Sequence, residues 1–519
     1  MSLRNRFFLL VVVVSLVALA ACGSGSNHAV PPPGGGFSNS DLNGTYVFSS
    51  TGVDAGGIFL AMAGTLQANG NGGITGGMID VNGLDVGPSS TPITGGSYSV
   101  SVDGRGHATL NSSTSLASAI TIDFVLSSTS HGLVTEFDGN GTGSGTLDLQ
   151  VSTSPSGSYS FGLFGASVSA GNEIPFAMAG SFTLNGSNIS AGIADIVNDG
   201  IATGGTNGLT ISAGSVTGGS PGTASVTTAA GTFTFDVYPI DATHIKLIEI
   251  DSLPIVAGDA FTQQTSIPAG TLTYTMSGLD NGGGPEVMGG FLGTASNQIS
   301  AGYEDYNDVG TVGTAAGFGG SYTAASGGRA TLTLNSFYNG EGGVVSPTVI
   351  FAAYPSSGGV QLLEVDSNGI SGGTAFSQSA TTVAASQGYG LNLTAFNGGD
   401  FEEDDIAEFT LSGTTVTGLA DINDEGSTSS PLNPPTFDGT LTADSSVPGH
   451  GTVTTNQFDF NYYVVDASTA LLIEIDDNQL GLGSFIQQSA TQGAVAASLR
   501  PAVLHLKPAA KAAWKLRKK

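Results

Sequence analysis

Short runs of alternating apolar and polar residues fill the chain between residues 40 and 488, separated by clusters of Gly, Asn and Asp. The runs are rich in Val, Ile, Thr, Phe and Tyr, which suit the pleated surface of a β-sheet. The clearest case is the apolar run 462–465, followed by the turn-forming residues 466–469 and the apolar run 471–473. This pattern predicts a β-hairpin whose second strand ends in Glu474-Ile475-Asp476.

The Glu-apolar-Asp ending of this hairpin occurs four times, at Glu intervals of 113, 115 and 110 residues. A residue that favours turns lies eight positions before each Glu, which places the same hairpin in each copy. The acid pairs are Glu136 and Asp138, Glu249 and Asp251, Glu364 and Asp366, and Glu474 and Asp476. The turn formers are Ser128, Asp241, Ser356 and Asp466.

The fourfold recurrence divides the chain into β repeats at 40–150, 153–264, 266–378 and 384–488. Each repeat shows about eight short strands whose polar connections are too short for helical crossovers. We therefore predict an all-β protein of four tandem antiparallel β-meander domains, each a small up-and-down barrel or a rolled sheet. The alternative is an eight-bladed propeller, because both halves of a repeat begin alike, as at Gly44 and Gly96.

Charge is distributed unevenly along the 519 residues. All 41 acids lie between Asp41 and Asp477, where they are opposed by Arg105, Lys246 and Arg329 alone. This acidic body, between Asp41 and Asp477, is expected to repel nucleic acid and to suit cations or cationic partners. The single cysteine, Cys22, precedes the repeats, so no disulfide is expected within them.

The N-terminus carries an export signal. Arg4 and Arg6 precede an apolar run at 7–18, and residues 19–22 read Leu-Ala-Ala-Cys. This order resembles the signal and lipobox of bacterial lipoproteins, in which the cysteine becomes the lipidated first residue. The resemblance implies a signal peptide at 1–21, lipidation of Cys22, and a Pro/Gly-rich tether at 22–39. It also implies a lipid-anchored location in the cell envelope, at the outer membrane where the cell has one, since Gly23 replaces the Asp linked to inner-membrane retention.

The C-terminal segment 489–519 is rich in Ala and basic residues, and seven of the twelve Lys and Arg residues lie in its last 20 positions. It is expected to be a solvated basic tail or to fold onto the acidic body. The alternative is a short helix beginning near Pro508 that contacts anionic lipid.

The recurring acid pair is the most repeated polar feature. Residues i and i+2 of a strand share one face, about 6.6 Å apart. The simplest interpretation places Ile473 and Ile475 in the core and the acids in solvent. A sharper one places the acids inside a barrel or at its mouth as a cation or ligand site, and a carboxylate-dependent glycosidase would also use two acids at such a spacing.

A second set of acids follows the third strand of each repeat, at Asp80, Asp195, Asp305 and Asp421. We interpret these segments as turns, since Asp and Asn bond their own backbone. The last copy, with Asp421, Asn423 and Glu425, partly resembles the start of a calcium loop. Its twelfth position is Leu432 rather than Glu, and no helices flank it, so calcium is only a weak expectation.

The six His residues do not recur at a fixed position in the repeats, so the sequence supports no His-based catalytic or metal site. We therefore expect a non-enzymatic, lipid-anchored surface protein with a binding or structural/adhesive role. Its expected partners are membrane lipid through Cys22 and an envelope or extracellular ligand, with no cofactor apart from the weak calcium site. The alternatives are a carrier that uses barrel cavities for a small ligand, and a secreted polysaccharide hydrolase.

Overall fold

The computed structural model describes residue 32 and residues 36–490, apart from 281–282, 309, 339–344, 347, 398–401, 431–432 and 477–478. Nearly all of its regular structure is β-strand, with two single-turn 3-10 helices at Asn39–Asp41 and Gly205–Asn207. In this described part, the search for a helix long and apolar enough to cross a membrane finds none. The expectations for Cys22, the signal peptide, most of the tether and the basic tail fall outside the described residues.

Most of the strands belong to four barrels, one in each predicted repeat. Those of the first repeat are β1 Asn43–Asp54, β2 Phe59–Asn69, β3 Gly73–Gly83, β4 Ser89–Ile93, β5 Gly95–Val100, β6 Arg105–Asn111, β7 Ala119–Ser128, β8 His131–Glu136 and β9 Gly141–Leu149. Those of the second are β10 Ser158–Ser169, β11 Asn172–Asn185, β12 Asn188–Asn198, β13 Ile201–Thr203, β14 Leu209–Thr210, β15 Ala213–Val216, β16 Gly222–Thr228, β17 Gly231–Pro239, β18 His244–Glu249 and β19 Ile255–Thr262.

The third repeat contains β20 Gly270–Asp280, β21 Pro285–Ala295, β22 Gln298–Asp308, β23 Thr311–Tyr322, β24 Ala330–Asn335, β25 Phe337–Tyr338, β26 Val345–Ser346, β27 Val349–Ser356, β28 Gly359–Glu364 and β29 Gly369–Ser377. The fourth contains β30 Gln387–Asn397, β31 Glu402–Ser412, β32 Thr415–Asp424, β33 Ser427–Thr428, β34 Gly439–Ala443, β35 His450–Thr455, β36 Asp459–Asp466, β37 Thr469–Glu474 and β38 Gln479–Gln487. Eight strands of each repeat form the barrel, and the short β4, β13, β14, β25, β26 and β33 lie outside it.

Each barrel is closed by pairing of its first strand with its last. In the first repeat, β1 pairs with both β2 and β9, and the other strands follow in chain order to β3 and back to β2. The same antiparallel order recurs in the other three repeats. The predicted up-and-down barrels are therefore confirmed, and the propeller alternative is wrong because neither half of a repeat forms a sheet of its own.

The predicted hairpin is also present. Strands β36 and β37 pair with Phe460 opposite Glu474, and the turn between them is held by the Ser468 N–H, which donates to the Asp466 carboxylate. The turn formers Ser128, Asp241 and Ser356 accept equivalent bonds in the other repeats. The local turn chemistry that the sequence indicates is thus used in all four copies.

The barrels pack head to tail into a closed ring. The first two strands of each barrel lie against the last strands of the next: β2 against β17–β19, β10 and β11 against β27 and β28, β20 and β21 against β36–β38. The ring closes where β30 and β31 of barrel 4 lie against β7–β9 of barrel 1. The same type of contact, between two different faces of the barrels, therefore occurs four times. In the closed ring, both contact faces of every barrel are covered by a neighbour.

The strands that form the joints are buried on both faces as a result. In β37, Leu472 packs inside barrel 4, whereas Ile473 packs outside it, in an apolar cluster that barrels 2, 3 and 4 share. Our expectation that Ile473 is buried is thus confirmed, although it lies in a joint between barrels, whereas our expectation that Glu474 lies in solvent is wrong. Glu474 shares the inward face with Leu472 and is fully buried.

The ring has two different ends. Neighbouring strands are antiparallel, so each barrel has its first and last residues at one end and the Glu-apolar-Asp sequence at the other. The linkers between barrels therefore share an end with the two termini, and we call this the linker end. There, Phe37 and Gln488 both pack against Gly104, so the start and finish of the described chain meet at the joint between barrels 4 and 1.

Candidate functional site

The recurring acids of the third strands lie in the joints between barrels. Asp80, Asp195, Asp305 and Asp421 are at most 3 % exposed and lie within β3, β12, β22 and β32. Their neighbours in sequence fill the barrel interior, as Ile79 and Val81 do in barrel 1, so the Asp side chains point outward into the next barrel. Our interpretation of these acids as turn residues that bond their own backbone is therefore wrong.

Three of these aspartates accept a hydrogen bond from a buried tyrosine of the next barrel. The hydroxyl of Tyr238 donates to Asp80, and that of Tyr463 donates to Asp305 over 2.8 Å. The hydroxyl of Tyr354 donates to Asp195. The joint that closes the ring has Val125 at the tyrosine position, where it packs with apolar residues of both barrels.

Each joint also buries at least one cationic or ionisable basic side chain. Arg329 donates through Nε and Nη2 to Asp195 over 2.6 and 3.0 Å, and Arg105 Nη1 donates to Asp421 over 3.2 Å. His450 Nε2 lies 2.9 Å from Asp305. The fourth joint holds Lys246, which together with the two arginines makes up all the Lys and Arg of the acidic body.

Lys246 is fully buried between barrels 1 and 2. Its ammonium group donates to Thr146 over 2.6 Å and to Asp259 over 3.2 Å, and it lies 3.4 Å from Asp148. Burial alone would raise the pKa of Asp148, but the charges of Lys246 and His131 lower it. The carboxylate therefore stays ionised, as a buried ammonium group requires.

The joint between barrels 3 and 4 depends on a histidine. Burial alone would lower the pKa of His450, but the hydrogen bonds and charges of Asp305 and Asp444 raise it. The surroundings of His450 thus favour its protonated form, which supplies the cation that pairs with Asp305 in this joint.

At three of these joints, the Asp-x-Asn sequence of a third strand meets the Glu-apolar-Asp sequence of the next barrel. Asn82, two residues after Asp80, donates its side-chain amide to the main-chain carbonyls of Glu249 and Asp251. Asn307 donates in the same way to the carbonyl of Glu474, and Asn423 to that of Glu136. The Asp-x-Asn of one barrel thus binds the backbone of the Glu-x-Asp of the next.

A glutamine that follows the last strand adds a further bond in three joints. The side-chain amides of Gln150, Gln378 and Gln488 donate to the carbonyls of Pro239, Val464 and Leu126 in the next barrel. These distances are between 2.6 and 3.0 Å. The equivalent Gln263, between barrels 2 and 3, makes no such bond.

The four recurring glutamates are buried inside the barrels. Burial, reinforced by the neighbouring acids Asp138, Asp366 and Asp476, raises the pKa of Glu136, Glu364 and Glu474 well above the usual range. Burial and the charge of Asp251 raise the pKa of Glu249 to about 9. Burial therefore favours the neutral carboxylic acid form of these four side chains.

The aspartates of the four Glu-apolar-Asp sequences have a different environment and role from the glutamates. Asp138, Asp251, Asp366 and Asp476 are half-buried, and each accepts a hydrogen bond from a backbone N–H of the preceding strand of its hairpin. For example, Asp459 N–H donates to Asp476 over 3.1 Å. These carboxylates close the open end of the hairpin.

The resemblance to a calcium loop is not supported by the geometry. Asp421 pairs with Arg105, and Asn423 directs its amide N–H groups to the carbonyls of Glu136 and Gly141. Asp421 and Asn423 lie in strand β32, and Glu425 follows its end. Among the described residues, no group of three or more His, Cys, Asp or Glu side chains is arranged to hold a metal ion.

Reasoning from the sequence missed the partners of the recurring aspartates. The tyrosines, His450 and the three Lys and Arg residues are not assigned a role by any local pattern. The scarcity of bases in the body was the available signal, because a lone cation among many acids tends to be paired.

We compared the chain with known proteins. It matches no model of a protein family, and the search of curated proteins finds no match.

Proposed function

We propose that this chain is a lipid-anchored protein of the cell envelope whose ring of four barrels has a binding or structural, adhesive role at the surface. The observation that carries the proposal is the closed ring, in which each joint is fixed by buried, paired polar groups. Such joints give a rigid body with a large outer surface, which suits a scaffold or a binder.

The placement of the chain ends supports this arrangement. The tether that leads to Cys22 enters at the linker end of the ring, where Phe37 packs against Gly104. With Cys22 acylated, the linker end faces the membrane, and the opposite end, with the Glu-apolar-Asp sequences, faces away from it. In a cell with two membranes, we propose the outer membrane as the location.

The burial of the recurring acids supports a structural role for them. Glu474 has no exposed surface, and Asp476 is bonded to a backbone N–H. A carboxylate-dependent hydrolase would need both groups within reach of its substrate. The barrel interiors are packed with aromatic and aliphatic side chains such as Phe409, Phe437 and Phe485, which favours a scaffold over a carrier with open barrels.

The anchor is tested by metabolic labelling with an alkyne fatty acid, followed by membrane fractionation. We expect the wild-type chain to carry the label and to sediment with membranes, and the Cys22→Ala variant to lose the label and keep its signal peptide. The matched control is the body from residue 23 behind a signal peptide that is fully cleaved, which should be soluble. Label that persists in the Cys22→Ala variant, or a soluble wild-type protein, would refute the proposal.

A further inference from the structure

The joint between barrels 2 and 3 departs from the pattern of the other three. Val197 takes the position of the asparagine that elsewhere donates to the next barrel, and it packs in the shared apolar cluster. Gln263 takes the position of the joint glutamine, but its side-chain amide has no hydrogen-bond partner among the described residues. The carbonyl it would have reached, that of Pro355, accepts from Gln264 N–H and from the Ser160 hydroxyl instead.

The amide of Gln263 lies instead in a cleft of about 550 Å³ between the two barrels. One wall is formed by β11 and β12 of barrel 2, and the other by the loop 325–328 of barrel 3. The pairing of β11 with β12 shifts register at Thr183, which lies in the cleft wall. Irregularities of this kind often accompany binding sites, because they redirect side chains from the regular pleat.

The loop wall is held firmly in place. Arg329, directly after the loop, donates to Asp195 and to the carbonyl of Thr206 in barrel 2. The Ser181 hydroxyl of barrel 2 donates to the Gly327 carbonyl over 2.6 Å. The cleft is therefore pre-formed, which reduces the entropy that binding would cost.

The lining of the cleft indicates its ligand. None of the lining residues is charged, although the body carries 41 acids. Hydroxyls and amides dominate the polar part, contributed by residues such as Ser158, Thr183, Gln263 and Ser326. Strand β11 is paired on both edges, with β10 and β12, so a peptide could not add to it as a further strand.

We propose that this cleft binds a neutral saccharide of one to a few sugar units. Uncharged hydroxyls match hydroxyl and amide groups of the lining, and the acidic body repels anionic polymers. The proposal rests on the binding role proposed above and names the ligand class for it. Gln263 is the side chain that the ring leaves unused and that directs its amide to the ligand.

Titration calorimetry on the soluble chain from residue 23 tests the proposal without the lipid anchor, so its outcome is separate from that of the labelling experiment. The probes are maltotriose, cellotriose and the trimer of N-acetylglucosamine, with trigalacturonic acid as the charged comparison. We expect saturable binding of at least one neutral trimer, and at least tenfold weaker binding of the acidic one. No binding of any neutral trimer up to about 10 mM, or equal binding of the acidic one, overturns the proposal.

Variants separate binding from folding. Ser326 is exposed on the loop, so Ser326→Trp should fill the cleft without disturbing the barrels and weaken binding at least tenfold. Gln263→Ala should also weaken binding. Gln150→Ala, the matched change in the joint between barrels 1 and 2, should leave binding unchanged. Wild-type affinity in a folded Ser326→Trp variant would overturn the assignment of the cleft.

Discussion

At the scale of single residues, the tyrosine of the joint between barrels 3 and 4 differs from its neighbour in the same strand. Tyr463 points outward and donates to Asp305, whereas Tyr462 points into barrel 4, where its hydroxyl has no hydrogen-bond partner among the described residues. Two adjacent, almost fully buried tyrosines therefore differ mainly in one bond across a joint.

We expect Tyr463→Phe to lower the free energy of unfolding by about 1–2 kcal/mol, because Asp305 loses a buried donor. Tyr462→Phe removes the same atom without breaking a bond, so its effect should stay within about 0.5 kcal/mol. Urea unfolding followed by circular dichroism measures both. Equal losses in the two variants would contradict the role given to the joint.

The buried glutamates make stability depend on pH. The pKa of Glu249 rises from its usual 4.5 to about 9 in the folded chain, through burial and the charge of Asp251. A raised pKa stabilises the fold fully below 4.5, and this stabilisation is lost as the pH rises through about 9. Between these values the loss is about 1.4 kcal/mol per pH unit for this one group.

The isosteric Glu249→Gln variant has no proton to lose at this position. We expect its unfolding free energy, measured in urea from pH 5 to about 9, to fall less steeply with pH than that of the wild type. The other three glutamates remain in both chains and act as an internal control. Parallel pH curves would show that Glu249 is not the buried acid described here.

At the scale of elements, the barrels depend on close contact between first and last strands. Gly145 in β9 lies so near β1 that an added Cβ would overlap the carbonyl oxygen of Ser49. Gly258, Gly373 and Gly483 show the same close approach in the other barrels. A residue with a side chain would force the two strands apart where the barrel closes.

Gly145→Ala should therefore destabilise the protein by about 3 kcal/mol or more. The control is Gly76→Ala in β3 of the same barrel, where the nearest atom to an added Cβ is 3.6 Å away, at the end of the flexible Gln67 side chain. Thermal unfolding should show a lower midpoint for the first variant and little change for the second. A tolerated Gly145→Ala would mean that the strands can separate at this point.

The elements could be predicted where the signal is local. The hairpin at Asp466 and the order of the strands depend on turns and on short connections, which the sequence shows directly. The burial of Glu474 could not be predicted, because Leu472 and Ile473 are both apolar and both buried, one in a barrel and the other in a joint. Burial on both faces removes the alternation that identifies the inner side of a strand.

The joints lay beyond prediction for another reason. Asp80 and Tyr238 are 158 positions apart, and a lone outward-facing Asp has the same sequence pattern whether it meets water or another barrel. The repeats themselves were visible, but repetition does not specify whether domains form a line or a ring. Only the packing of β30 and β31 on barrel 1 decides this.

At the scale of the whole molecule, the ring has no preferred starting point. The described body begins and ends at the same joint, where Gln488 donates to the carbonyls of Asp103 and Leu126 and packs with Phe37 against Gly104. Three joints are backed by a linker and one is not, yet all four use related contacts. The choice of which joint has no covalent linker should therefore have little effect on the stability of the ring.

A circular permutant tests this directly. Residues 36 and 490 would be joined by a short Gly/Ser linker, and the chain opened between Thr381 and Thr382, both exposed in the linker before barrel 4. We expect the hydrodynamic radius of the described body to be unchanged and its urea midpoint to be similar, because the opened joint keeps its Asp305, Tyr463 and His450 contacts. A second permutant, opened between the buried residues Ile406 and Ala407, should fail to fold. An expanded, less stable first permutant would show that the linkers, rather than the buried joints, hold the ring together.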